Sequence, residues 1–307
     1  MSYKKPHESL FMGGFRSGTT LLANLLGFHP DLSPWFETKG LCELLRWQRT
    51  LAQPATTDFE ASLVNPSHIR GFDKEAVADR VAADFKSTAL KIGGLMASGK
   101  AHYESYPMGH DRILYSLEEA LGCLDGWRRG VGLTPSASEV AAWNGALIAQ
   151  LGALHMAIDQ KPLWINKTPE ITRFGAECED AIGPCKRIMM IRDGRDVIRS
   201  AMGLGWADPR VLADWWKGMI VGSRHSGSIA TDRYIEVRYE ALLLDPTAEV
   251  NRILKFLGVA EKGAEMIAAY GAFVDIAPKK RGGPSPEDDE ILRHLDLVFL
   301  ETLGYSV

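Results

Sequence analysis

The chain has 307 residues, of which 46% are hydrophobic and 24% are charged. This composition is ordinary for a folded globular protein, and the length suits one large α/β domain or two small ones. The formal net charge of −4 gives no general attraction to nucleic acid or to anionic membranes, so a polyanionic ligand must be held by local basic clusters.

The N-terminal residues predict neither a secretory signal nor a membrane anchor. Met1–Ser9 is polar, and the apolar stretch Leu10–Met12 is too short for a signal-peptide core or a membrane span. The four cysteines form no CxxC pair and show no metal-ligand spacing, so we expect reduced thiols. We therefore expect a cytoplasmic protein without a membrane span.

Apolar runs alternate with segments of helical period, a pattern typical of a parallel sheet covered by helices. The N-terminal unit is a predicted strand over Leu10–Gly14, a glycine-rich turn, and a helix over about Thr19–Phe28. His29-Pro30 closes that helix, because proline disfavours helix in the residue before it. A short second strand is predicted over Ser33–Phe36.

Residues 40–160 are predicted to be mostly helical, and the α/β rhythm returns after them. The remaining predicted elements are helices Asp73–Phe85 and Ser138–Asp159, breaks at Gly93-Gly94 and Pro107–Gly109, strands Leu163–Asn166, Arg187–Ile191 and Tyr234–Val237, helix Thr247–Leu257, a basic loop Ala277–Pro286 and a last helix Glu287–Leu303. The sequence thus predicts an α/β fold: a P-loop-type parallel sheet of about four or five strands flanked by helices. We expect one domain over 1–307, with a helical insertion at about 40–160.

The segment between the first strand and the first helix has the spacing of a phosphate-binding loop. Gly13 and Gly18 frame the pattern Gly-x-x-x-x-Gly, and Thr19 stands where a P-loop carries lysine. Glycines permit a tight turn, and the amides at a helix start attract an anion. Without the lysine that reaches the β- and γ-phosphates, the loop favours a ligand with a single 5′-phosphate, for which Arg16 supplies the cation.

A second anion site is predicted at the carboxyl end of strand Arg187–Ile191. Arg192 leaves that strand where open α/β sheets bind their ligands, and Ser200 lies eight residues later, about two helical turns away. An arginine and a hydroxyl suit a phosphate monoester. Alone, the segment Arg192–Asp196 also fits an exposed, salt-bridged turn. Together with the first loop it indicates a second anion site in the same sheet.

These motifs resemble those of the sulfotransferases that use 3′-phosphoadenosine 5′-phosphosulfate (PAPS). The stretch Arg16–Leu22 resembles the 5′-phosphosulfate loop of that family, Arg192 to Ser200 resembles its 3′-phosphate element, and Val237–Glu240 is similar to a later strand end. Lys279–Gly283 loosely resembles a basic segment that members lay over the 3′-phosphate. The donor-binding residues that the resemblance implies are Arg16, Ser17, Gly18, Thr19, Thr20, Arg192, Ser200, Tyr239, Arg281 and Gly282.

The sequence is most similar to the tyrosylprotein sulfotransferase branch of this family. Its members carry motifs matched here by Arg16–Leu21, His29-Pro30, Glu37–Lys39 and Asn166–Pro169. By this match Glu37 is the general base, and Lys167 lies at the oxygen that links phosphate to sulfate. Because no secretory signal is evident, we expect the acceptor hydroxyl to belong to a small molecule or a carbohydrate rather than to a peptide tyrosine.

The resemblance implies direct in-line transfer, with 3′,5′-ADP as the product. Glu37 accepts the proton of the acceptor hydroxyl, while Arg16, Lys167 and the loop amides stabilise charge on the departing oxygen. No metal is expected, because a sulfuryl group carries less negative charge than a terminal phosphoryl group. The other candidates for the base are His29, His102, His110 and His155, and the tryptophans that are candidates for the acceptor pocket are Trp206, Trp215 and Trp216.

Two other classes of protein remain open at this point. A P-loop kinase or nucleotidase with a degenerate Walker A loop needs a magnesium-binding aspartate, for which Asp193 is the nearby candidate. A non-enzymatic nucleotide-binding scaffold retains the fold without the chemistry. The presence of both Glu37 and Lys167 argues against a scaffold. The sequence does not indicate an oligomeric state.

Overall fold

The fold is built on a five-stranded parallel sheet. The computed structural model describes residues 9–53, 73–98, 113–226, 232–271 and 286–306. The strands are β1 (Ser9–Gly13), β2 (Leu32–Trp35), β3 (Leu163–Lys167), β4 (Cys185–Ile191) and β5 (Tyr234–Arg238). Their order is β2-β3-β1-β4-β5, and each neighbouring pair is parallel. All carboxyl ends therefore meet at one edge, and the predicted α/β fold class is confirmed.

Helices follow the strands and cover both faces of the sheet. In the described residues the α-helices are α1 (Thr19–Gly27), α2 (Lys39–Ala52), α3 (Lys74–Ser98), α4 (Leu117–Gly130), α5 (Ala137–Asp159), α6 (Gly175–Ile182), α7 (Gly194–Met202), α8 (Pro209–His225), α9 (Tyr239–Leu244), α10 (Pro246–Leu257), α11 (Gly263–Gly271), α12 (Pro286–His294) and α13 (Leu297–Thr302). A 3₁₀ turn, Ile171–Phe174, precedes α6. None of the described helices is both long and apolar enough to cross a membrane.

The two faces of the sheet bury different sets of helices, because successive side chains of a strand point to opposite faces. Phe11 of β1 belongs to a core shared with α2–α5, the helices between β2 and β3. Its neighbours Leu10 and Met12 belong to a second core under α1, α10 and α11. Met189 of β4 joins a third core under α7, α8, α12 and α13. Strong burial of β1 on both faces fixes the start of the loop that follows it.

Two predicted boundaries are wrong. Helix α3 runs through Gly93-Gly94, predicted to be a break, because glycine costs a helix interior only about 1 kcal/mol and does not by itself end it. The predicted last helix is two helices: Asp296 interrupts it and caps α13 by accepting a hydrogen bond from the N–H of Phe299. The predicted break at 107–109 lies outside the described residues. So does most of the predicted loop 277–286, whose final residue, Pro286, begins α12.

Candidate active site

The loop after β1 is pressed against the ends of β4 and β5. Gly14 has φ +102°, and a Cβ built there would lie 2.1 Å from the carbonyl oxygen of Met190. Gly18 has φ +86°, and its Cβ would lie 2.4 Å from Cδ2 of Tyr239. The N–H of Gly14 donates to the carbonyl oxygen of Pro169 at 3.0 Å. Glycine is therefore required at both positions, for backbone conformation and for space.

The same loop aims backbone and side-chain donors at the carboxyl edge of the sheet. Gly18 is the N-cap of α1, so the first amides of that helix face the edge and favour an anion. Thr19 and Thr20 begin the helix, with Thr19 buried and Thr20 partly buried. The hydroxyl of Ser17 donates to the carbonyl oxygen of Phe15 at 3.1 Å.

Arg16, at the tip of the loop, is exposed and adopts a left-handed conformation with φ +52°. Its Nε donates to Oγ of Ser200 at 3.0 Å. Its guanidinium lies 5.8 Å from the ring centre of Trp206, whose side chain is 47% exposed. The structure thus brings together two predicted site residues that are far apart in the sequence, and it adds an aromatic wall beside them.

Arg192, after β4, contacts the same loop. Its Nη1 donates to the carbonyl oxygen of Arg16 at 3.3 Å, and its guanidinium lies 4.7 Å from the ring centre of Tyr239. Its Nε is buried without a hydrogen-bond partner. A buried guanidinium donor of this kind is costly unless a ligand satisfies it. The arrangement of Arg16, Arg192, Ser200 and Tyr239 fits a ligand with separated anionic groups.

Glu37 and Lys167 form an ion pair where β2 and β3 end. Glu37 Oε1 lies 3.0 Å from Lys167 Nζ, and the lysine side chain is only 1% exposed against 24% for the glutamate. The ammonium also lies 4.6 Å from the ring centre of Phe36. The parallel register, which places Trp35 opposite Asn166, brings the residues that follow each strand together. The two predicted catalytic side chains therefore share one site.

A buried ring of hydrogen bonds lies next to this ion pair. Nδ2 of Asn166 donates to Oγ1 of Thr38 at 2.8 Å, and the N–H of Thr38 donates to Oγ1 of Thr168 at 3.0 Å. The hydroxyl of Thr168 donates back to Oδ1 of Asn166 at 2.8 Å. In the sequence these three residues stand out only as parts of the motifs Glu37–Lys39 and Asn166–Pro169. The sequence signal that could have indicated them is the cluster of polar residues Asn166–Thr168 at the end of an apolar strand.

Asp84 of α3 is a second feature that sequence analysis missed. Its Oδ2 accepts a hydrogen bond from the N–H of Gly40 at 2.8 Å, at the start of α2. Burial raises the pKa of the Asp84 carboxyl, and the charges of Glu37 and Glu43 raise it further, against the Gly40 hydrogen bond and Lys39, which lower it. The carboxylate therefore ties the helical insertion to the segment that carries Glu37.

The remaining candidates have structural partners or lie outside the described residues. His29 Nε2 is 2.9 Å from the carbonyl oxygen of Ala260, and His155 Nε2 is 3.1 Å from that of Pro34; both rings are fully buried. The candidates that lie outside the described residues are His102, His110, Arg281 and Gly282.

Asp193, the magnesium candidate, caps α7 and binds Arg195, with Oδ2 2.6 Å from Nη2. In the described part of the chain, no group of three or more His, Cys, Asp or Glu residues is placed to hold a metal ion. Trp216 is buried and donates from Nε1 to the carbonyl oxygen of Arg192 at 3.2 Å, and Trp215 is partly buried in the same core. Trp206 is the exposed member of the three candidate tryptophans.

Comparison with known proteins gives a consistent result. A family model described as "Sulfotransferase family" matches residues 10–262. The protein-tyrosine sulfotransferase of Drosophila melanogaster is 24% identical over 267 residues, which are 84% of this chain and 39% of that protein. The chain therefore spans well under half of that relative. The sulfotransferase domain of the Synechococcus PCC 7002 olefin synthase matches over the whole of both chains, with a TM-score of 0.52 and 19% identity, a likeness of fold.

Proposed function

Because this chain belongs to the sulfotransferase family, we propose that it takes a sulfuryl group from PAPS, transfers it to an acceptor hydroxyl and releases 3′,5′-ADP. Sulfuryl transfer is the chemistry of the family. The donor, the acceptor class and the roles of individual residues are the proposal, and each is argued from the contacts of the site.

Two guanidinium groups that meet at one glycine loop are the observation that carries the proposal. Arg16 lies at the tip of the loop beside Ser200, and Arg192 touches the carbonyl of Arg16 while keeping a buried Nε unsatisfied. PAPS and 3′,5′-ADP each carry a 3′- and a 5′-phosphate, so they match two separate cations at one sheet edge.

The proposed donor contacts follow from this arrangement. The α1 amides, Thr19, Thr20 and Arg16 hold the 5′-phosphate side, since a helix start and a cation both favour an anion. Arg192 and Ser200 hold the 3′-phosphate. Tyr239 supports both, because its ring packs against Gly18 and under the Arg192 guanidinium. Arg281 and Gly282 remain predicted contacts.

PAPS, when bound, supplies the sulfuryl group to be transferred. Glu37 is proposed to accept the proton that the acceptor hydroxyl loses as its oxygen bonds to sulfur. Lys167 and Arg16 are proposed to stabilise the charge on the phosphate oxygen left by the sulfuryl group. An ammonium has three donors, so Lys167 can hold Glu37 and still donate to that oxygen. Its burial strengthens both interactions.

The proposed acceptor is the hydroxyl of a small molecule or a carbohydrate. The Drosophila relative is named for protein tyrosine, and a tyrosine-containing peptide is therefore the alternative to test. A panel containing a monosaccharide, a simple phenol and a tyrosine peptide, each offered with [³⁵S]PAPS in EDTA, separates these classes. Label transfer to the peptide alone would overturn the proposed acceptor class.

Calorimetric titration of 3′,5′-ADP in EDTA tests the donor. We expect micromolar binding by the wild type and at least tenfold weaker binding by Arg192→Ala, equivalent to about 1.4 kcal/mol. The matched control is Arg252→Ala, since Arg252 lies in an exposed ion pair with Glu249 and its loss should leave binding unchanged. A wild type that binds ATP with magnesium but not 3′,5′-ADP would instead support a degenerate P-loop kinase.

A further inference from the structure

The hydrogen-bonded ring of Thr38, Asn166 and Thr168 is interleaved with the ion pair of Glu37 and Lys167. Thr38 directly follows the glutamate, and Asn166 and Thr168 stand on either side of the lysine. The ring therefore fixes the backbone on both sides of the pair. We propose that Asn166 and Thr168, acting through Thr38, are positioning residues that hold Glu37 in its place beside Lys167 for sulfuryl transfer. This inference rests on the proposed function.

Each member of the ring is hydrogen-bonded to the other two. The Thr168 hydroxyl accepts from the N–H of Thr38 and donates to Oδ1 of Asn166, while the amide of Asn166 donates to Oγ1 of Thr38. The three residues are at most 1% exposed, so water does not replace a lost partner. Removal of one hydroxyl leaves a backbone donor and an amide acceptor unpaired, and the backbone must move to satisfy them.

The position of the ring in the sheet explains why Glu37 needs this support. Among the described strands, β2 lies at the edge of the sheet and pairs with β3 alone, over Leu32–Trp35. Glu37 lies beyond the last paired residue, on the segment that leads into α2. The ion pair, the ring and the contact of the Lys167 ammonium with Phe36 tie this segment back to β3. A displacement of about 1 Å at a reacting group can cost about a hundredfold in rate.

The ring could stabilise the contact between β2 and β3 without affecting catalysis, or it could position Glu37. These two roles predict different results. If the role is purely structural, the loss of a ring residue lowers stability and the folded fraction. Its effect on the rate then adds to the effect of replacing Glu37. Loss of a positioning residue acts through Glu37, so its effect on rate disappears once Glu37 is neutralised. The two roles are therefore separable by a double-mutant cycle and by a conservative replacement.

The variants are Thr168→Val, which keeps the shape without the hydroxyl, and Thr168→Ser, which keeps the hydroxyl. Each is made alone and with Glu37→Gln, and the probe is release of [³⁵S]sulfate from PAPS with water as the acceptor. We expect Thr168→Val to lower the rate about a hundredfold and Thr168→Ser to stay within about twofold of wild type. When Glu37 is already replaced by Gln, adding Thr168→Val should change the rate by no more than about twofold.

Two further measurements accompany the rates. Calorimetry with 3′,5′-ADP should give the same affinity for all variants within about twofold, because the ring side chains bond to one another and not to the proposed phosphate contacts Arg16, Arg192 and Ser200. A crystal structure of Thr168→Val should show that the 3.0 Å contact between Glu37 and Lys167 is lost. Thermal unfolding verifies that each variant is folded.

The inference is overturned by any of three results: an unchanged rate in Thr168→Val, an equal loss in Thr168→Ser, or a valine effect that persists in full beside Glu37→Gln. Retention of the Glu37–Lys167 contact in the crystal overturns it too. If the proposed function is wrong, the wild type will neither bind 3′,5′-ADP nor release sulfate. That result overturns the inference as well, and it differs from the three results above.

Discussion

The two halves of the site are built by different means. The donor half comprises Gly13–Thr20, Arg192, Ser200 and Tyr239, and it relies on close packing of main chain and on cations that reach solvent. The transfer half comprises Glu37, Thr38 and Asn166–Thr168, and it relies on side chains that satisfy one another, mostly in burial. We therefore expect added side-chain atoms in the glycine loop to damage the donor half. We expect the loss of a polar side-chain atom to damage the transfer half.

Neutralising Glu37, the proposed base, should separate the two halves most strongly. In Glu37→Gln, we expect the rate of sulfuryl transfer from PAPS to fall by about 10²- to 10⁴-fold, the usual contribution of a general base. The affinity for 3′,5′-ADP should hold within about twofold, because Glu37 makes none of the proposed contacts with the two phosphates. Stopped reactions with [³⁵S]PAPS and calorimetry measure the two quantities. Glu249→Gln, in an exposed ion pair, is the control, and equal losses of rate and affinity would contradict the division into halves.

Adding one methyl group to the loop should damage the donor half. In Gly14→Ala, the new Cβ meets the carbonyl oxygen of Met190 at 2.1 Å with φ +102°, so the free energy of unfolding should fall by about 3 kcal/mol and 3′,5′-ADP binding should be lost. Urea unfolding and calorimetry measure both.

Gly122→Ala is the matched control for the loop substitution. Gly122 lies within α4, and no atom approaches its Cβ within 4 Å, so alanine there should stabilise the protein by about 0.5–1 kcal/mol. A Gly14→Ala protein that binds 3′,5′-ADP normally would show that the close approach of the loop to β4 is dispensable.

The smallest expected effect concerns the support of the transfer half by α3. Because burial raises the pKa of Asp84 in the folded state, the native protein holds this proton more tightly than the unfolded chain does. The stability of wild type relative to Asp84→Asn should therefore fall as the pH rises from the unfolded value near 3.8 through the higher folded pKa. Urea unfolding of both proteins from acid to neutral pH measures this difference, and a constant or rising difference would contradict it.

The placement of the proposed donor residues at one edge of the sheet was largely predictable, because their signals lie in consecutive residues. Glycine spacing between a strand and a helix indicates an anion loop, and Arg192 after an apolar strand belongs at the carboxyl edge of the sheet. The meeting of Arg16 with Ser200 follows from strand order, since β1 and β4 are neighbours. The local sequence pattern was sufficient to predict where these residues lie. The resemblance to sulfotransferases was confirmed at the family level.

The supports of the transfer half were not predictable, because they depend on pairings that no local pattern encodes. Thr38 meets Asn166 and Thr168 through the register of β2 on β3. Asp84 meets Gly40 through the packing of α3 on α2. A single sequence gives neither a register nor a helix contact. The base role of Glu37 and the cytoplasmic setting stay predictions.

The dependence of the glycine loop on Met190 and Tyr239 has a consequence for how the protein is made. The loop residues all precede residue 21, but the residues that pack against the loop backbone, Met190 and Tyr239, are synthesised much later. β1 pairs with β3 and β4, so Leu10 has no strand partner until Ile165 and Lys186 emerge. Pairings across such long separations form slowly and leave apolar strands exposed meanwhile. A nascent chain stalled before Tyr239 therefore contains the whole phosphate-loop motif but not its functional shape.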